Sequence, residues 1–134
     1  MKNNDLKAVN QLPFAELLIF LGIDMHLDSW KVTARLNGRE LKTFSCDPCA
    51  ETLLKSLMKL FPRAKFKSVY EAGFTGFSTH RNLEKAGIKN IVVNPADIPL
   101  SDKDKKTKSD TRDSRTLAKK LESDDLKAIY VPTL

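Results

Sequence analysis

Apolar positions change period several times along the chain, and each change marks an element. Leu17-Leu18-Ile19-Phe20-Leu21-Gly22-Ile23 is a continuous apolar run that stops at Asp24. That is the pattern of a central strand buried on both faces, with an acid at its carboxyl end. Trp30, Val32, Ala34 and Leu36 then alternate with Lys31, Thr33 and Arg35, and Asn37-Gly38 supplies the left-handed positions of a type I′ hairpin. With Leu36 opposite Arg39, Arg35 opposes Glu40 and Ala34 opposes Leu41, so the first three strands form an antiparallel meander.

Ala50, Leu53, Leu54, Leu57, Met58 and Phe61 recur at helical spacing, after an Asp47 N-cap with Pro48 at the first helical position and before Pro62. Phe66, Ser68 and Tyr70 alternate with Lys67, Val69 and Glu71 in a second central strand, again with an acid at its end. From about Thr75 a helix is expected, with Phe77, His80, Leu83 and Ala86 facing inward and Gly87 as its C′ residue. A strand from Ile88 to Val93 follows. A last helix, capped by Ser109 or Asp110, runs to about Glu122, and Ala128-Ile129-Tyr130-Val131 is a short terminal segment. The order βββαβαβα gives an α/β fold: a mixed five-stranded sheet, three strands antiparallel and two parallel, flanked by helices. This is a ribonuclease-H-like topology, in which the first and fourth strands are central neighbours.

A chain of 134 residues with 41% hydrophobic content supports one such core. The first 16 residues are polar and read as a mobile leader, with the domain at 17–134. Twenty-three Lys and Arg against 17 Asp and Glu leave a net charge of +6, which favours a polyanionic partner. No run approaches the ~18 apolar residues of a membrane span, and two cysteines suit a reducing compartment. A cytoplasmic protein without a membrane partner is expected.

Cutting a phosphodiester requires an activated water or hydroxyl and a stabilised leaving oxygen, which two Mg²⁺ ions on hard oxygen ligands provide. Asp24 and Glu71 stand at the ends of the two central strands. At 100° per residue, Asp110 and Asp113 fall on the inward stripe of the last helix with Leu117, Ala118 and Leu121, while Arg112, Arg115 and Lys119 lie opposite. Inward carboxylates are costly unless a cation compensates them. Simpler roles exist for each acid alone. Asp110 could be an N-cap with Asp113 at N3, Glu71 the partner of a core cation, and Asp24 the start of a turn.

Four motifs, Gly22-Ile23-Asp24-Met25-His26-Leu27-Asp28-Ser29-Trp30, Tyr70-Glu71-Ala72-Gly73-Phe74, Val92-Val93-Asn94-Pro95-Ala96-Asp97-Ile98-Pro99 and Lys105-Lys106-Thr107-Lys108-Ser109-Asp110-Thr111-Arg112-Asp113, occur in this order. From about Leu18 to Pro132 the chain resembles the amino-terminal domain of DEDD-type insertion-sequence transposases. The resemblance implies a RuvC-like domain whose four acids are Asp24, Glu71, Asp110 and Asp113, holding Mg²⁺ or Mn²⁺, two ions in all. It further implies DNA as the partner during transposition and, in some members, a structured guide RNA. A homo-oligomer is compatible with it. Members continue into a domain carrying a nucleophilic serine, which no serine here matches, so complete strand exchange is expected to need that further domain.

Lys103, Lys105, Lys106 and Lys108, just before Asp110, with Arg112 and Arg115, are candidate phosphate contacts; the alternative for the lysines is a solvated charged loop. Phe74 and Phe77 are candidates for stacking on bases, with burial under the sheet the stronger expectation. Cys46-Asp47-Pro48-Cys49 has the spacing of a redox pair, but a three-strand meander is the wrong framework for one, so the cysteines are read as flanking a helix start. His26 is near the acids, whereas His80 reads as a packed histidine. The functional expectation is a metal-dependent nuclease or recombinase domain of a transposase. The alternatives are a non-catalytic nucleic-acid-binding or dimerisation module, and a sugar-kinase or actin-like ATPase, for which the chain shows no second phosphate-binding glycine loop among its five glycines.

Overall fold

A computed structural model of the chain describes residues 14–73, 76–98 and 113–132. Most of the expected leader, Phe74, Ser109, Asp110, Arg112 and the four lysines Lys103, Lys105, Lys106 and Lys108 lie outside the described residues.

Strands β1 (Leu18–Met25), β2 (Trp30–Leu36) and β3 (Arg39–Cys46) form the meander. Helix α1 (Ala50–Leu60) leads to β4 (Lys65–Glu71), α2 (Ser78–Lys85) leads to β5 (Lys89–Val93), and a 3₁₀ turn (Pro95–Asp97) precedes α3 (Ser114–Glu122). The sheet order is β3-β2-β1-β4-β5, with β1 antiparallel to β2 and parallel to β4, and β4 parallel to β5. This is the expected mixed sheet of a ribonuclease-H-like fold, with β1 and β4 as central neighbours.

Side-chain parity divides the core in two. Ile19, Leu21 and Ile23 of β1, Trp30, Val32 and Ala34 of β2, and Phe66 and Tyr70 of β4 pack with Leu53, Leu57 and Leu83 under α1 and α2. On the opposite face Val69 and Val93 pack with Leu117 and Leu121 of α3, flanked by Phe20 and Ile91. Burying a side chain of this size contributes roughly 1.5–3 kcal/mol, so both helical layers hold the sheet.

Several local expectations are corrected. β1 begins at Leu18 and not Leu17, both residues are about 40% exposed, and Asp24 lies inside the strand. The apolar run is therefore not buried throughout. In the hairpin, Asn37 and Gly38 take φ of 52° and 77°, as a type I′ turn requires. Arg35 opposes Glu40 as expected, but a register shift places Ala34 opposite Lys42 and leaves Leu41 as the extra residue. Asp47-Pro48 does not open α1; Cys49 N–H donates to the Asp47 carbonyl at 2.7 Å in a tight turn, and Cys49 itself is the N-cap. Helix α2 starts at Ser78, after the Tyr70 hydroxyl donates to the Gly76 carbonyl and accepts from His80 N–H. The terminal segment contributes one antiparallel bridge, Val93 with Ala128, and Ile129 N–H donates to the Val92 carbonyl at 2.7 Å.

Candidate metal and nucleic-acid site

Gly22 sets the position of α3. A Cβ there would run into the Ser114 carbonyl oxygen and the Ala118 nitrogen, so only glycine lets this helix backbone lie against the central strand. Two polar attachments fix its direction. At its far end, the Arg35 Nε donates to Glu122 Oε1 and Gly38 N–H to Glu122 Oε2, each at 2.9 Å. At its start, Ser114, which is buried, and Thr33 share a 2.8 Å hydroxyl contact, and Thr33 contacts Thr43 at 2.8 Å. Thr43 donates to Glu40 at 3.0 Å, so its one proton is used. The proton order is therefore Ser114 to Thr33 to Thr43 to Glu40. Because Arg35 is opposite Phe20 and Thr33 opposite Gly22, α3 runs antiparallel to β1 and begins near the carboxyl ends of the central strands.

Those ends carry the two strand acids. Phe20 pairs with Lys67, and Gly22 with Val69; carrying this register two residues further brings Asp24 level with Glu71. Equal parity puts both side chains on the α3 face, just past the last paired rung of β1 and β4. Asp24 is about 30% exposed, and its Oδ2 accepts from His26 Nε2 at 3.1 Å. Glu71 is half-buried, and its Oε2 is shielded from solvent.

Asp113 departs from the expected helix geometry. It is the N-cap of α3, with φ −73° and ψ 176°, and its Oδ1 accepts from Thr116 N–H at 3.0 Å. It is therefore not a first-turn residue on an inward stripe, and the cap expected at Ser109 or Asp110 is displaced to it. Capping occupies one of its two carboxylate oxygens. It nevertheless stands one residue before Ser114, at the helix end that lies over Gly22. Asp110 lies outside the described residues, and among the described residues no three His, Cys, Asp or Glu side chains converge into a metal-binding group.

The other expected contacts sort as follows. Arg115 is exposed on α3, and its Nε donates to Glu40 Oε1 at 2.9 Å, which turns it toward β3. Phe77 is partly buried against the α1/α2 core. His80 is packed as expected: its Nδ1 contacts the Asn90 amide at 2.8 Å, and Asn90 accepts from buried Ser68 at 2.6 Å. Both cysteines are free thiols. Burial, with Asp47 and Cys49 nearby, pushes the Cys46 thiol up to about 11. The Thr52 N–H and hydroxyl and the Glu51 N–H draw the Cys49 thiol below its usual value. Sequence reasoning missed Lys31, which is exposed and directly opposite Asp24. The hairpin at Asn37-Gly38 registers β2 with β3 only, so the sequence offered no pairing of Lys31 with Asp24 on β1.

No protein-family model matches the chain. It is 40% identical over 118 residues to a Sinorhizobium fredii protein provisionally named transposase y4qE, covering 84% of this chain. A second protein of that organism, provisionally named transposase y4rJ, is 30% identical over 115 residues, covering 77% of the chain. The transposase for insertion sequence element IS1533 of Leptospira borgpetersenii is 28% identical over 108 residues, covering 78%. These relatives are transposases by name. The similarity supports a transposase family for this chain, which spans about three-tenths of their length, 29% to 31%. Among the described residues no helix is long and apolar enough to cross a membrane.

Proposed function

We propose that the chain is a RuvC-like, metal-dependent DNA-cutting domain of a transposase, acting on phosphodiester bonds during DNA transposition. The observation that carries this is the parallel register of Gly22 with Val69, which carried two residues on sets Asp24 level with Glu71, one rung beyond the start of α3. Two carboxylates side by side repel one another, and a fold retains such a pair where a cation compensates them. The donor set fits Mg²⁺ or Mn²⁺. Carboxylate oxygens are hard ligands, and the site needs only a few of them because Mg²⁺ keeps several waters.

Asp24, Glu71 and Asp113, with Asp110 as the fourth acid, would hold the metal. When bound, two ions supply an activated water or hydroxyl and stabilise the leaving oxygen. The chain's own residues orient the substrate around them. Asp24 and Glu71 fix one side of the site from the sheet. The start of α3 presents backbone N–H groups and the positive end of a nine-residue helix toward the same region, which favours a phosphate there. DNA is the proposed partner.

Calorimetric titration with Mn²⁺ tests the assignment. Asn at position 113 keeps the capping oxygen for Thr116 N–H, so Asp24→Asn/Asp113→Asn removes charge with little effect on the fold. Even in water, a unit charge about 4 Å from a divalent ion is worth about 2 kcal/mol, roughly thirtyfold in affinity. The double variant is expected to bind Mn²⁺ at least that much more weakly than the parent. Identical isotherms would overturn the proposal.

A further inference from the structure

The antiparallel register extends the row of site residues across four strands. Asp24 is opposite Lys31, and Lys31 is opposite Ser45. With Glu71 level with Asp24, one rung at the carboxyl end of the sheet therefore reads Glu71, Asp24, Lys31, Ser45, from β4 to β3. Directly opposed residues share a face, so all four stand on the α3 side.

The three α3-facing side chains of β2 have different fates. Arg35 bonds to Glu122, and Thr33 contacts Ser114. Lys31 is the next in this series, beyond the rung at which α3 begins, and it is exposed, as is Ser45. A structural role would be a cross-strand ion pair with Asp24, worth about 0.2–1 kcal/mol. That pair does not form: Asp24 Oδ2 is bonded to His26 at 3.1 Å, and among the described residues Lys31 makes no ion pair. A lysine ammonium is a compact point charge on a flexible four-carbon arm. Placed one strand beyond the carboxylates, it suits an anion lying across the rung.

We propose that Lys31 is a phosphate-binding residue, gripping the DNA backbone next to the phosphodiester presented to Asp24 and Glu71, with Ser45 extending the track to the sheet edge. The inference rests on the proposed function, since it takes DNA as the ligand. It assigns substrate contact to the sheet surface itself, independently of the lysines at 103–108 and of Arg115.

A salt series separates a phosphate contact from a structural role. Each duplex phosphate neutralised contributes about 0.9 to the magnitude of the slope of log K against log salt. Fluorescence anisotropy of a fluorescein-labelled DNA duplex would be measured with the parent, Lys31→Gln, Lys31→Arg and Lys55→Gln. Lys55 is an exposed lysine on α1, on the other face of the sheet. The expected result is a slope smaller by about 0.9 for Lys31→Gln, with the parental slope kept by Lys31→Arg and Lys55→Gln. A parental slope in Lys31→Gln overturns the role of Lys31 and leaves the proposed function standing. An equal drop in Lys55→Gln overturns it too, because the effect would then be one of overall charge. Absence of DNA binding by the parent overturns both.

Discussion

Gly22→Ala is expected to destabilise the protein more than any other single-methyl addition in the sheet. The added carbon would meet the Ser114 carbonyl oxygen and the Ala118 nitrogen, with the Leu117 Cβ also near. Two of these are backbone atoms of one helix and have no rotamer to escape into, so α3 must lift or slide. Overpacking costs about 1–3 kcal/mol, a large part of a stability of about 5–15 kcal/mol. Lifting α3 would also loosen Leu117 and Leu121 from Val69 and Val93 and stretch the Ser114–Thr33 contact. Urea denaturation should show a midpoint lowered accordingly. Because Asp113 moves with the helix start, Mn²⁺ binding should weaken in the same variant. A parental midpoint would mean that α3 does not rest on Gly22.

The second large effect concerns the metal and stability. A ligand that binds only the folded state stabilises it by RT ln(1 + [L]/Kd), about 2.7 kcal/mol at a hundredfold excess over Kd. For a domain of this size each kcal/mol shifts Tm by roughly 2–8 °C, so saturating Mn²⁺ should raise Tm by about 5–20 °C. Asp24→Asn should lose most of that shift. Without metal it should melt at or above the parent, because neutralising Asp24 relieves its repulsion with Glu71. A variant that melts lower without metal and keeps the full shift would show that Asp24 serves structure and not binding.

Much of the architecture was legible because strand and helix periods are set by burial. The buried rows Ile19, Leu21, Ile23 and Trp30, Val32, Ala34 alternate as the sequence pattern requires. The Asn37-Gly38 turn is a local chemical signal that needs no tertiary context. Boundaries were harder to read. Asp47-Pro48 resembles a helix opening, yet the chain makes a tight turn there, and the bulge at Leu41 depends on the fit between β2 and β3. At the proposed site, Asp24 and Glu71 stand at the carboxyl ends of neighbouring strands, as strand order and polarity alone imply. Asp113 was not legible in this way, since helical spacing cannot distinguish a residue inside the first turn from the one that caps it. Lys31 was overlooked for the opposite reason: its charge was read as the solvated half of an alternating strand. Only the registers with Asp24 and Ser45 gave it a neighbourhood.

The most direct test of the metal site is to locate the ion. Mn²⁺ is paramagnetic and broadens the amide resonances nearest to it, so a substoichiometric titration of the ¹⁵N-labelled chain reports position residue by residue. The amides of Asp24, Met25, Glu71, Ala72, Asp113 and Ser114 are expected to vanish first, while Lys65, Lys89 and Leu121 at the other end of the sheet and of α3 persist. Early loss at Lys65, Lys89 and Leu121, or uniform broadening throughout, would contradict a metal site built on Asp24 and Glu71.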